Sequence, residues 1–319
     1  MLCSIVMPLY NKEEFVVTAI NSVLGQTYQD FEIIVVDDGS KDGGADLVAA
    51  IPDPRIRLVR QVNGGVSQAR NRGINESKGD LVFFLDADDW YGKTYLETMV
   101  RMAQEYPPGH FFAAHFKAVY AYRPEEWENT EDDVVATAPP FDLITNFYER
   151  RYRIGPFVHT NSVVLWRQDL VQFQPCFPVG ESLGEDQDLW FRLADRLQLV
   201  YCPLKLVAYR YGVSDGLCTT IGLRSVPPAF IRLEQRARKG EINPIERQFA
   251  FLIAADARIQ VARYLLSNDQ RTNAIRELLK AWRAIIKKSW WFTLAMCTFG
   301  TPMMMNRWSQ TRINKLHIK

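Results

Sequence analysis

Residues Gly79 to Trp90 limit what this chain can fold into more than any other stretch. Leu81 to Leu85 is an unbroken apolar run, as expected of a short strand buried on both faces in a parallel sheet. It empties at once into three carboxylates, Asp86, Asp88 and Asp89. In extended backbone, residues i and i+2 project to the same side, so Asp86 and Asp88 leave the strand end together. Two like charges held that close repel unless a cation neutralises them. Ligands of open α/β sheets bind at the carboxyl ends of strands. Asp-x-Asp in that place therefore points to a hard divalent ion gripping a phosphorylated ligand. An acidic turn after a strand is the plainer reading, and the rest of the chain decides between them.

The segment before it alternates strand and helix patterns. Cys3 to Tyr10 reads as a first strand, broken by Pro8, with Asn11 capping a helix whose apolar face is Phe15, Val16, Ala19, Ile20, Val23 and Leu24. Phe31 to Val36 reads as a second buried strand, ending in Asp37, Asp38, Gly39 and Ser40. A helix around Leu47, Val48 and Ile51 and a strand from Ile56 to Val59 follow. Asn63, Gly64 and Gly65 then turn into a helix, Val66 to Glu76, which leads into the acidic strand. The order β-α-β-α-β-α-β predicts a mostly parallel α/β sheet with covering helices. Both acidic turns then lie on one sheet edge, a more specific signal than either alone.

In these residues the chain resembles the family 2 inverting glycosyltransferases of the bacterial polysaccharide and O-antigen type. Their fold, GT-A, is a Rossmann-like nucleotide-sugar-binding α/β architecture. The resemblance rests on Val6 to Asn11, Glu32 to Ser40, Asn63 to Asn71, Gly79-Asp80, Asp86 to Asp89 and Gly184 to Trp190, in the family's order. It implies a donor site in which Tyr10 lies against the nucleobase and Asp38 accepts a hydrogen bond from it. Asp37 orients the base or caps the helix, Arg70 holds the base or ribose, and Asp86 meets the ribose hydroxyls. Pro8, Asn11, Gly65 and Ala87 complete the donor contacts, and Asp88 holds Mg²⁺ or Mn²⁺ on the diphosphate. Such a cation neutralises the charge that grows on the leaving diphosphate. The chain has no phosphate-loop motif and no Gly-x-Gly-x-x-Gly after its first strand, which excludes phosphate-loop hydrolase and dinucleotide chemistry.

Lys93 to Tyr106 reads as an amphipathic helix, Phe111 to Tyr122 as a strand, and Arg123 to Pro140 as an acidic loop or hairpin. Phe141 to Arg151 has helical character, and Ser162 to Trp166 is strand-like. Gly180 to Trp190 opens a further helix with Glu185, Asp186 and Asp188 in its first turns, where the helix dipole favours anions. The family resemblance makes Asp186 the general base that takes the acceptor hydroxyl proton, with Glu185 its stand-in. It also places Arg210, in a loop running to Ser214, near the diphosphate. No His follows there, although many relatives carry a metal-ligating one, which leaves the third protein ligand to diphosphate oxygens and water. His159 is expected to be structural or to face the acceptor.

The net charge of +1 conceals an asymmetry: from Arg224 onward there are 18 Lys and Arg against 6 Asp and Glu. An acidic front with a basic tail predicts metal and phosphate chemistry first and an anionic surface behind. The expected division is a catalytic domain over residues 1–223, with a nucleotide-sugar half 1–105 and an acceptor half 106–223, and a basic helical extension over 224–319. Two helices are predicted there, Glu246 to Leu266 and Gln270 to Ile286, followed by an uncharged run from Ser289 to Asn306. Trp290 and Trp291 beside Lys287 and Lys288 suit a membrane interface. A helical cap on the catalytic domain and a homodimer surface are the other uses of such a tail. No nucleic-acid-reading motif accompanies the basic residues. The five scattered Cys form no Cys-x-x-Cys pair, and the start carries no signal-peptide pattern, so a reducing cytoplasm is expected. The resulting expectation is a cytoplasmic enzyme, peripheral to the inner face of the membrane. It passes a sugar from a nucleotide-diphosphate donor, uridine favoured, to a glycan or lipid-linked glycan. The alternative, a non-catalytic sugar-nucleotide-binding or scaffolding subunit, is opposed by the intact Asp88 and Asp186.

Overall fold

The computed structural model of the chain describes residues 1–120, 141–181, 183–211 and 224–300. Among the described residues nine strands join in one sheet: β1 (Cys3–Leu9), β2 (Phe31–Asp37), β3 (Ile56–Arg60), β4 (Leu81–Phe84), β5 (Trp90–Tyr91), β6 (His110–Tyr120), β7 (Asp142–Ile144), β8 (Val163–Trp166) and β9 (Gln198–Tyr211). Their order is β3-β2-β1-β4-β8-β6-β9-β5, with β7 also paired to β9. The first four strands are mutually parallel, as the alternating pattern predicts. β8 runs antiparallel to both β4 and β6, and β6 pairs parallel with β9. The ends of β1, β2, β4, β6 and β9 therefore share an edge with the start of β8. That edge carries every acidic turn in question.

Both faces of β1, β2 and β4 are buried, which is why they read as continuous apolar runs. Ile33 and Val35 of β2 face a large core with Met7, Phe83 and Leu96, while Ile34 and Val36 face a smaller cluster with Ala69. Each such side chain contributes roughly 1.5–3 kcal/mol when fully buried. Helices α1 (Val16–Leu24), α2 (Gly44–Ala49), α3 (Val66–Glu76) and α4 (Tyr95–Glu105) supply the covering layers. At Gly73, an added Cβ would lie 2.2 Å from Val6 Cγ1, so glycine lets α3 settle close on β1.

Several local expectations change. Pro8 does not break β1, where it stands opposite Val36. Val6 accepts from the amide of Leu85 on the β4 side, and Pro8, two residues on, faces that side beyond the last paired residue of β4. Its missing N–H costs no ladder bond. Asn11 does not cap α1; it adopts φ +50°, its side chain accepts from Lys41 N (2.8 Å) and its N–H donates to Ser40 Oγ (3.2 Å). Phe141 to Arg151 is not one helix, because Asp142–Ile144 pairs antiparallel with β9 before α5 (Phe147–Ile154) begins. Arg210 lies not in a loop but in β9, a strand that the sequence reading did not assign. The acidic stretch 123–140 and Ser214 lie outside the described residues.

The chain divides into two compact units, Met1–Phe147 with Pro156–Thr219, and Tyr148–Gly155 with Thr220–Lys319. Most of α5 thus groups with the second unit. After the one-turn α6 (Arg167–Leu170) and α7 (Glu185–Ala194), the second unit holds α8 (Pro228–Lys239), α9 (Pro244–Ser267), α10 (Arg271–Lys280) and α11 (Lys288–Phe299). α8 was not anticipated, although its signals are present: Pro228 opens it, Gly240 ends it at φ +78°, and Ala229, Leu233 and Ala237 are buried at helical spacing. The helix expected over 270–286 stops at Lys280 and gives way to a 3₁₀ turn, Trp282–Ala284. Nothing in the local sequence marks that break.

Candidate active site

At the end of β2, Asp38 is buried, and its carboxylate accepts from Gln61 Nε2 (2.8 Å), Gly64 N (2.9 Å) and Gly65 N (2.8 Å). A carboxylate offers about four acceptor positions, so most of this one is spent shaping the turn into α3. Gly65 makes that turn at φ +88°, which a side chain would oppose. Asp37 Oδ1 accepts from Ser40 N at 2.9 Å and closes its own turn. Tyr10 stands beyond β1 with 43% of its surface exposed.

Arg70 sits midway along α3, almost wholly buried. Its Nη2 donates to Asp86 Oδ1 (2.8 Å) and its Nη1 to Glu185 Oε1 (3.0 Å), while the guanidinium lies 5.3 Å from the centre of the Phe177 ring. Burial opposes its charge, but Asp86 and Glu185 outweigh that and raise its pKa. One cation thus joins the acidic turn after β4 to the first turn of α7, 115 residues apart in sequence for Arg70 and Glu185. The Nε of Arg70 is buried without a hydrogen-bond partner. Glu185 has a raised pKa, through burial first and the adjacent Asp186 second, with Arg70 pulling the other way.

The three carboxylates after β4 have separate environments. Asp86 bonds Arg70, and its N–H donates to Asn161 Oδ1 (3.0 Å). Asp88 is partly exposed and pairs with Lys12 Nζ at 2.8 Å. Asp89 is buried, accepts from Arg210 N (2.6 Å) and from the Asn161 side-chain amide, and has a pKa raised by burial and by Asp88 and Asp86. Ala87 is buried between them. Arg210 donates from Nε to the Asp88 carbonyl (2.8 Å), with its guanidinium 4.7 Å and 4.8 Å from the ring centres of Phe15 and Trp90.

Asp186 is partly exposed beside this group; Thr160 Oγ1 donates to its Oδ2 (3.4 Å) and Gln187 N to its Oδ1 (2.6 Å). His159 precedes Thr160, meets the rings of Tyr209 (4.5 Å) and Phe116 (5.2 Å) at tilted angles, and accepts from Asn161 N at Nδ1. Burial lowers its pKa against the pull of Asp86 and Asp186, which favours the neutral ring.

The sequence reading did not single out Lys12, Asn71, Thr160 or Asn161 for these tasks. Asn71 lies in a quoted motif and grips Phe177 at both its carbonyl (2.7 Å) and its N–H (2.9 Å), fixing the loop ahead of α7. Asn161 joins Asp86 and Asp89, and no local pattern announces a partner 75 residues away. Among the described residues no three His, Cys, Asp or Glu side chains converge as a ready metal cage. Hard oxygen donors of the Asp88 kind fit a cation held by one or two carboxylates with phosphate oxygens and water.

Comparison with known proteins decides the family. Residues 4–166, just over half the chain, match the profile of Glycosyl transferase family 2. The chain belongs to that family. Among curated relatives, GlyG of Streptococcus pneumoniae is 40% identical over 107 residues, 33% of this chain and 36% of that protein. EpsJ of Bacillus subtilis, an uncharacterized glycosyltransferase, is 40% identical over 106 residues, 33% of this chain and 31% of that protein. These matches span about a third of each relative. The crystal structure of S. aureus TarS 1–349 in complex with UDP-GlcNAc superposes with a TM-score of 0.61 at 18% identity, covering 96% of this chain and 83% of that one. A TarS structure with UDP covers 89% and 90% at 15% identity with the same TM-score. The expected α/β GT-A architecture, with a mostly parallel sheet and a helical C-terminal region, is therefore the fold of this family member.

Proposed function

We propose that the protein transfers a sugar, with inversion, from a nucleotide-diphosphate donor to a hydroxyl of a glycan or lipid-linked glycan in cell-surface polysaccharide assembly. The observation that carries this reading is Arg70, which ties the Asp86 turn to the Glu185–Asp186 helix start on one sheet edge. Asp186 takes the acceptor proton as the acceptor oxygen attacks the anomeric carbon, and the carbon–oxygen bond to the diphosphate breaks with its electron pair going to the diphosphate. Thr160 orients Asp186. Asp88, together with diphosphate oxygens, would hold Mg²⁺ or Mn²⁺, and such a cation would neutralise the charge growing on the leaving group. Arg210, fixed against Asp88 and Asp89, and Lys12 add positive charge on the same side. Uridine is the favoured base, a choice supported by TarS structures that hold UDP-GlcNAc and UDP. An acceptor on a lipid carrier would place the enzyme at the inner face of the cell membrane.

The test is calorimetry with UDP, GDP, dTDP and CMP, with and without Mn²⁺, on the wild type and Asp88→Ala. One nucleoside diphosphate should bind in a metal-dependent way that the substitution removes. Asp186→Asn should retain that binding while losing donor turnover by about 10²-fold or more. Binding that ignores both metal and Asp88 would instead favour a non-catalytic scaffolding subunit.

A further inference from the structure

In the second unit, α11 is apolar around its whole circumference. Trp290, Thr293, Met296 and Cys297 turn inward and are buried, with Trp290 Nε1 donating to Leu278 O (3.0 Å). Trp290, expected from sequence at a membrane interface, is thus a core residue. Lys287, expected beside it, is bound to both oxygens of Asp256 (2.7 and 2.6 Å). The opposite face carries Lys288, Trp291, Phe292, Ala295, Thr298 and Phe299, a single stripe at helical spacing that is exposed along its length. Trp291, Phe292 and Phe299 are 54%, 45% and 85% exposed. Just upstream, Trp282 and Ile286 are 56% and 81% exposed. A helix apolar on every side is ordinarily buried on every side.

The charge around the stripe indicates what covers it. Residues 279–299 contain Lys280, Arg283, Lys287 and Lys288 and no Asp or Glu; Lys280 pairs with Glu277 (2.6 Å) and Lys287 with Asp256, both outside the segment. Lys288 stands exposed at the N-terminal end of the stripe. A partner protein or second copy would need complementary acidic groups, which this segment does not offer to a copy of itself. An anionic bilayer supplies both components, headgroups for the cations and an acyl boundary for the aromatic rings. No helix among the described residues is long and apolar enough to cross a membrane, so the contact is in the plane of the surface. We infer that the outer face of α11, with Trp282 and Ile286, is a monotopic docking surface for an anionic lipid leaflet. This stands on observations separate from the transfer chemistry.

Flotation of the full chain with vesicles of phosphatidylcholine, with and without phosphatidylglycerol, tests it. The wild type should float with the anionic vesicles, and Trp291→Ser/Phe292→Ser should weaken that by at least about tenfold. Val62→Ser, at an exposed apolar residue of the first unit, should leave it unchanged. Brominated lipid should quench the fluorescence that the double substitution removes. The melting temperature and nucleotide binding of the double variant should match the wild type, which separates this result from failure of the donor site. Unchanged flotation in the double variant overturns the inference. So does a wild-type dimer that the same substitution dissociates without any lipid binding.

Discussion

Arg70 replaces what would otherwise be repulsion with attraction: without it, Asp86 and Glu185 would be held together with no partner. Removing one member of a buried ionic cluster costs about 3–5 kcal/mol, since the remaining charges stay desolvated. Arg70→Met should lose stability of that order in urea unfolding; a loss below about 1 kcal/mol would show that the carboxylates relax into water. Lysine should not substitute, because a single ammonium cannot reproduce the two-pronged contact. Glu185 sets a pH dependence. Its pKa is raised in the folded protein, so the folded state holds the proton more tightly than the unfolded chain. Its contribution therefore favours folding at low pH and is lost as pH rises from the ordinary glutamate value, about 4.3, through the raised one. Thermal melts of wild type and Glu185→Gln should show the wild type losing ground across that window. A difference that stays flat with pH would rule this out. At this scale position was legible: the motifs mark Asp86, Asp88 and Glu185, and the fold brings Asp86 and Glu185 onto Arg70. Lys12 and Asn161 work on carboxylates far along the chain, and only the sheet order brings them there.

Among the elements, α3 links the two halves of the site. Its start is shaped by Asp38, its middle carries Arg70, its Asn71 holds Phe177, and its Gly73 lies on β1. Gly73→Ala places a methyl group against Val6 and should cost about 1–3 kcal/mol, since overpacked contacts must shift the helix. The same shift moves Arg70, so nucleotide affinity should fall in step with stability; an unperturbed melting temperature would mean that Val6 yields freely. Strands buried on both faces and helices with one apolar face were plain in the sequence, and β1–β4 and α3 follow it closely. β5 and β7 were not, because pairings of two and three residues depend on the partner strand more than on their own pattern, and the 14-residue β9, which lies inside the sheet, was not assigned either.

Across the whole molecule the charge is divided: residues 1–223 carry 20 Lys and Arg against 31 Asp and Glu, and the remainder 18 against 6. An acidic front is what the proposed cation site would favour, and a basic tail what the inferred anionic surface would. Screening follows directly. The Debye length falls from about 10 Å at 0.1 M salt to about 3 Å at 1 M. Vesicle binding should therefore weaken across that range without vanishing, because the aromatic stripe is insensitive to salt. Complete loss would mean that charge alone holds the contact. The asymmetry was evident from composition; which aromatic residues face outward was not, since Trp290 and Trp291 are neighbours in sequence and opposites in burial.

The backward course of β8 has a consequence for how such enzymes diversify. Asn161, at the mouth of that strand, holds both the backbone of Asp86 and the carboxylate of Asp89. Its neighbour Thr160 holds Asp186. A lineage adapting to a new donor would reshape the acidic turn only by disturbing the segment that steadies Asp186, the proposed proton acceptor. Donor and acceptor preferences should therefore drift together, and chimaeras that graft one without residues 159–162 of the same parent should be the poor ones.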